Sequence, residues 1–190
     1  MFALMCVSQM FANAQTVNDK PWFVSVCLGE QHSGIRKEDY VSDNFSPLIA
    51  IEGGKFVTPY LAISAGYKGM YYKFISDDDK HNYAFFYADL VLDIHNCFGY
   101  KEDRIWNAQV YAGGGLMFNK YQYMPTPNGN VYFEDGRTMP AINIGISNLF
   151  KVSRNLQLGV DVGGIAGWAL FQCDEDMIPS AFARAVYSFR

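Results

Sequence analysis

No stretch of this sequence approaches the roughly eighteen consecutive apolar residues that a membrane-spanning helix needs, which excludes a helical span. Positive charge is scarce as well. Lys and Arg number 15 against 19 Asp and Glu, for a net charge of −4, so no basic surface is available for nucleic acid and that partner class is excluded. Cysteines number four. Cys6 lies inside an apolar run with no lipobox around it; Cys27, Cys97 and Cys173 are an odd set, which precludes a complete intramolecular disulfide framework. The seven prolines (Pro21, Pro47, Pro59, Pro125, Pro127, Pro140 and Pro179) all fall at predicted strand starts or in connections, and none interrupts a predicted strand.

Aromatic residues and glycine are abundant: 13 Tyr, 15 Phe and 17 Gly in 190 residues, one domain's worth of chain. That mixture suits strands and tight turns better than helices. Half the residues are apolar, yet the mean hydropathy is near zero, so apolar and polar positions are interspersed. The first fifteen residues, MFALMCVSQMFANAQ, form an apolar run ending in Ala12-Asn13-Ala14, the small-residue pattern of a secretory cleavage site. The expected division is a signal peptide at 1–14 and a single domain at 15–190. One departure from the signal pattern is that no Lys or Arg precedes the apolar run.

Period-two alternation recurs along the rest of the chain, as in a strand with one apolar and one mixed face. In Trp22–Gly29 it sets Trp22, Val24, Val26 and Leu28 against Phe23, Ser25 and Cys27. Similar runs span Leu61–Phe74, Asn82–Ile94, Trp106–Phe118, Ala141–Leu149, Leu156–Trp168 and the C-terminal segment to Phe189. With a weaker stretch at Leu48–Lys55 the prediction is eight strands, each a fit to a membrane strand of about ten residues. Connections alternate between long polar segments (Gln31–Ser46, Ser76–Lys80, Lys120–Thr138, Gln172–Ile178) and mostly compact ones (Phe56–Tyr60, His95–Arg104, Phe150–Asn155). Long loops on one rim and short turns on the other predict an all-β, eight-stranded antiparallel up-and-down transmembrane barrel with both termini periplasmic. Cys27, Cys97 and Cys173 then lie at mid-wall, at the periplasmic end and in an outer loop, too far apart to bridge.

The mixed face distinguishes a membrane barrel from a soluble one. It carries small residues and isolated charges, whereas a soluble barrel needs a Lys- and Glu-rich exterior. The expected lumen polar network comprises Glu52, Lys68, Asp89, Asp93, Asn107, Tyr111, Asp161 and Arg184. Trp22, Tyr71, Trp106, Trp168, Tyr187 and Phe189 are the expected membrane-interface aromatics.

Gly54-Lys55-Phe56-Val57-Thr58-Pro59-Tyr60-Leu61, followed by Ala65-Gly66-Tyr67, resembles a turn-and-strand motif of small barrels from the Bacteroidota. Tyr87-Ala88-Asp89-Leu90-Val91-Leu92-Asp93-Ile94, then Asn96, Phe98-Gly99-Tyr100 and Arg104-Ile105-Trp106-Asn107, is similar to the same family, as is Asn148-Leu149-Phe150 with Ser153. These barrels resemble the OmpA N-terminal domain and OmpX. The resemblance covers most of residues 15–190. It implies outer-membrane lipid as surroundings and recognition of the C-terminal strand by the barrel assembly machinery. Tyr187-Ser188-Phe189 looks like that recognition signal, displaced by one because Arg190 follows. Many OmpA-like proteins append a peptidoglycan-binding domain; none is expected here, so cell-wall tethering is not implied.

Candidate chemistry is thin. Lys68 and Asp89 are expected to sit nearly opposite each other on consecutive strands, with Asp93 able to meet Asn107 and Asp89 able to meet Tyr111. Asp161 and Arg184 share the lumen but are offset by several residues. Unpaired buried charge is costly and an eight-strand interior is largely filled, so these charges are expected to hold the barrel together rather than to gate it. Glu30, His32 and Ser33 are the residue types of an acyl-transfer site, but adjacency does not supply the geometry of a nucleophile and its base. Asp77-Asp78-Asp79 lacks calcium-loop spacing, and His95 with Cys97 does not complete a metal site. No catalytic residue, cofactor or metal is expected. The functional expectation is a non-enzymatic outer-membrane protein that supports the envelope or contacts an extracellular protein or surface ligand through its loops. The alternatives are a narrow pore, then a lipid-modifying enzyme, then a soluble ligand-carrying barrel.

Overall fold

Alternating segments become strands because an extended backbone sends successive side chains to opposite faces, and only such a pattern buries one face along its whole length. The computed structural model describes residues 21–32, 45–73, 80–99, 104–119, 122–126, 129–133, 137–167 and 177–189. The chain runs β1 (Trp22–His32), β2 (Phe45–Phe56), β3 (Leu61–Lys73), β4 (Lys80–Asp93), α1 (Ile94–Cys97), β5 (Trp106–Asn119), β6 (Gln122–Thr126), β7 (Gly129–Phe133), β8 (Arg137–Lys151), β9 (Leu156–Gly167) and β10 (Met177–Phe189). Eight of these strands form a closed antiparallel barrel in the order β1-β10-β9-β8-β5-β4-β3-β2, while β6 and β7 make a separate hairpin. The first strand closes the sheet: Trp22 pairs with Lys55 on β2 and with Phe189 on β10. Closure leaves no unpaired barrel edge, which removes the usual route to edge-on aggregation.

The barrel is inside-out by the standard of a soluble protein. Ile51, Ile63, Leu90, Ile144 and Val162 are more than half exposed on the outer wall, while Lys68, Asp89, Asp161 and Arg184 are all at most 4% exposed inside. Strand bounds are longer than alternation alone predicts, so Pro47, Pro140 and Pro179 lie within β2, β8 and β10. Each sits within the first four residues of its strand, where one missing donor leaves the central ladder intact.

Two features depart from expectation. The β6–β7 pair occupies part of the connection predicted to be a long polar loop; its strands are only five residues each. The long turn after β4 contains the single-turn helix α1. Asp93 starts it, accepting a hydrogen bond from Asn96 N–H at 2.9 Å, while the Asn96 amide donates to Pro59 O at 3.2 Å and ties this turn to its neighbour.

The other two turns on this rim share one hydrogen-bond pattern. In residues 57–60, Val57 and Thr58 N–H donate to Leu61 O, and Leu61 N–H returns to Thr58 Oγ1 at 2.9 Å. In residues 152–155, Val152 and Ser153 N–H donate to Leu156 O, and Leu156 N–H returns to Ser153 Oγ at 3.2 Å. A hydroxyl at the second turn position satisfies the donor that would otherwise be orphaned as the new strand begins.

Candidate functional site

Inward-facing positions of β1, β2, β8, β9 and β10 converge on a single guanidinium. Arg184 Nη2 donates to Glu52 Oε1 at 2.9 Å and to Ser25 Oγ at 3.3 Å. Its Nη1 donates to Asp161 Oδ2 at 2.9 Å and to Ser147 Oγ at 3.2 Å. The two halves are built alike. Ser25 and Glu52 are register partners across β1 and β2, and Ser147 and Asp161 are register partners across β8 and β9. Each cross-strand pair therefore offers one hydroxyl and one carboxylate to one guanidinium nitrogen, the planar fork geometry that Arg provides and Lys does not.

A second cluster adjoins the first. Lys68 Nζ donates to Asn143 Oδ1 at 2.9 Å, and Asn143 Nδ2 donates to Asp89 Oδ2 at 2.6 Å. The ammonium also lies over the Phe182 ring, 4.8 Å from its centroid. Tyr87 joins the clusters: its hydroxyl donates to Glu52 Oε2 at 3.3 Å, and its ring centroid is 5.8 Å from Lys68 Nζ. Between the clusters, lined by residues including Cys27, Tyr111 and Asn143, a space of about 10 Å³ remains, room for roughly one water. Towards the loop end, the Tyr83 hydroxyl donates to Gln31 Oε1.

Of the predicted lumen residues, Glu52, Lys68, Asp89, Asp161 and Arg184 lie in these two clusters, and Tyr111 lines the space beside them. Asp93 and Asn107 are elsewhere: Asp93 binds Asn96 at the start of α1, and Asn107 Oδ1 has no partner. The expected Asp93–Asn107 meeting does not occur, because Asp93 is aligned with Gln109. Nor are Lys68 and Asp89 opposite each other. The β3–β4 register sets Lys68 against Phe85 and Asp89 against Ser64, so the two charges communicate through Asn143. Arg184 and Asp161, expected to be offset, are directly paired, since the Arg side chain is long enough to span the two-position diagonal. Ser25, Asn143 and Ser147 belong to the network although alternation alone placed them only on the mixed face. Their inward parity is the signal that marks them.

Trp22, Trp106, Tyr187 and Phe189 are 40–50% exposed on the outer wall, all near the turn end. Tyr71 lies in β3 with its side chain outside the described residues, as is Trp168 altogether. Glu30 is exposed and His32 packs on Phe45 at 5.1 Å, while Ser33 lies outside the described residues, as do Asp77, Asp78, Asp79 and Cys173. His95 Nδ1 accepts the Ala108 N–H at 3.0 Å and its ring packs edge-on to Trp106 at 4.5 Å. No group of three or more potential metal ligands occurs among the described residues. Cys27 and Cys97 form no disulfide.

No protein-family model matches this chain, and no curated protein sequence does. Solved structures do. A major outer membrane protein from Thermus thermophilus superposes with a TM-score of 0.56 at 10% identity, over 90% of this chain and 100% of the other. Neisserial surface protein A gives 0.54 at 10% identity, over 90% and 97% of the two chains. The N-terminal β-barrel domain of Pseudomonas aeruginosa OprF gives 0.52 at 14% identity, over 88% and 97%. This chain has the fold of the small outer-membrane β-barrels. At such low identity the likeness rests on strand number, closure and inside-out polarity, features that need no shared residue.

Proposed function

We propose that this chain is a non-enzymatic outer-membrane protein: its barrel supports the envelope, and its loops contact an extracellular protein or surface ligand. The observation that carries this reading is the lumen itself. Arg184, bound on both sides by carboxylate and hydroxyl, lies across the interior, and the space beside it has room for roughly one water. A pore needs a continuous water path, and opening one here requires separating buried, hydrogen-bonded charges. The exposed aliphatic wall fits a lipid environment, and the turn-end aromatics fit a headgroup layer. In the same reading residues 1–14 are an export signal, 15–190 the barrel, and both termini are periplasmic. The Tyr187-Ser188-Phe189 end of β10 is the segment offered to the assembly machinery.

Planar-bilayer recording of the purified, folded chain tests the closed lumen. The expected record has no stepwise current at moderate voltage. Discrete, ion-selective steps that change with Arg184→Met would replace this proposal with a narrow pore.

A further inference from the structure

Lys55 stands next to last in β2, on the outer face, aligned with Trp22 of β1. Trp22 is aligned in turn with Phe189 of β10. An ammonium, an indole and a phenyl ring thus lie side by side on three neighbouring strands, at the seam where the first and last strands close the barrel. Lys55 Nζ is 4.8 Å from the Trp22 ring centroid, and Tyr187 stacks on Phe189 with centroids 6.4 Å apart.

Two observations set this ledge apart from the rest of the wall. Among the described side chains that point outward from the barrel strands, Lys55 and Glu30 are the only Lys, Arg, Asp or Glu. They mark opposite ends: Glu30 is eight residues along β1 from Trp22, about 27 Å of strand at some 3.4 Å per residue. Moreover, Lys55 has no carboxylate partner among the described residues; its contact is the π face of Trp22. An ammonium backed by an aromatic ring, at the edge of a wall whose described side chains carry no other charge but Glu30 at the far end, presents its donors to whatever anion lies at that level. At that level a bilayer holds its headgroup phosphates.

We propose that Lys55, Trp22 and Phe189 form a binding site for an anionic phospholipid, with the phosphate on Lys55 Nζ and the glycerol and upper acyl carbons against the two rings. This rests on the reading of the barrel as membrane-spanning. Charge complementarity selects the headgroup, because a net-negative phosphate supplies the counter-ion that Lys55 lacks and a zwitterionic headgroup brings its own.

The test uses the full chain folded into phosphatidylcholine vesicles with and without a minor fraction of phosphatidylglycerol, with thermal unfolding followed by gel mobility. Phosphatidylglycerol is expected to raise Tm by about 2–4 °C. Lys55→Gln should abolish the rise, Lys55→Arg should keep it, and Trp22→Leu should reduce it. Arg154→Gln, an exposed charge on the same rim, should leave it intact. A rise that survives Lys55→Gln, or that Arg154→Gln removes as fully, overturns the site in favour of diffuse surface charge. An equal rise from inorganic phosphate added to phosphatidylcholine vesicles overturns the lipid assignment. Insertion with no effect of phosphatidylglycerol defeats the site alone, whereas failure to insert into either vesicle defeats the membrane reading beneath it.

Discussion

Arg184 and Glu52 meet at 2.9 Å across the barrel lumen, although 132 positions separate them in the chain. Neither is more than 7% exposed, and Asp161 completes the triad from the other side. Burying three charges is unfavourable unless each is paired and hydrogen-bonded, so removing the shared cation is far more damaging than removing the whole group. Arg184→Met, which strands Glu52 and Asp161, is therefore expected to cost about 3–5 kcal/mol in urea unfolding from lipid vesicles. The triple change Arg184→Met, Glu52→Gln, Asp161→Asn is expected to recover most of that loss. A single variant within about 1 kcal/mol of the parent would show that the triad is not buried as described.

Asn143 carries the contact between Lys68 and Asp89. Asn143→Leu removes an acceptor from the ammonium and a donor from the carboxylate together, and a loss of about 2–4 kcal/mol is expected. Asp89→Leu should also lower thermal stability while leaving ion conductance almost unchanged. A large, selective change in conductance on Asp89→Leu would count against the closed lumen.

Glycines on the two faces of the wall should respond in opposite ways. A Cβ on inward-facing Gly163 would stand 2.6 Å from Ile144 O and from the Tyr111 hydroxyl, whereas on outward-facing Gly53 its nearest neighbour would be 3.9 Å away. Gly163→Ala is expected to cost about 1–3 kcal/mol by overpacking, and Gly53→Ala to be tolerated. Equal effects in chemical denaturation would contradict the tight seating of Tyr111.

The outer wall is tested most directly at its middle. Ile144 is 53% exposed and lies in the centre of β8. In lipid, Ile144→Lys is expected to cost about 2–4 kcal/mol, the penalty for a cation near the midplane of a membrane barrel. A barrel facing water would accept the same change with little loss, so a neutral result in vesicle-based unfolding would argue against the membrane setting.

Face assignment was legible throughout because it depends only on parity. Ser25, Glu52, Lys68, Asp89, Asn143, Ser147, Asp161 and Arg184 all fall on inward positions of alternating strands. The twin turns at residues 57–60 and 152–155 were legible as short connections, though not as the same hydroxyl-closed structure. The β6–β7 hairpin was missed because pairs of five-residue strands leave little periodic signal, and α1 because one helical turn leaves none.

The sequence by itself determined that the chain alternates, how many barrel strands it has, and which side chains face inward, since these follow from local extended geometry and from where apolar residues stand. Only the tertiary structure decided which inward groups touch. Register is set by the turns, and a shift of two residues along a strand keeps every face while moving a side chain by about 7 Å. That is more than the reach of a hydrogen bond. It is why Lys68 contacts Asp89 through Asn143, and why Arg184, expected to be offset from Asp161, bridges Glu52 and Asp161.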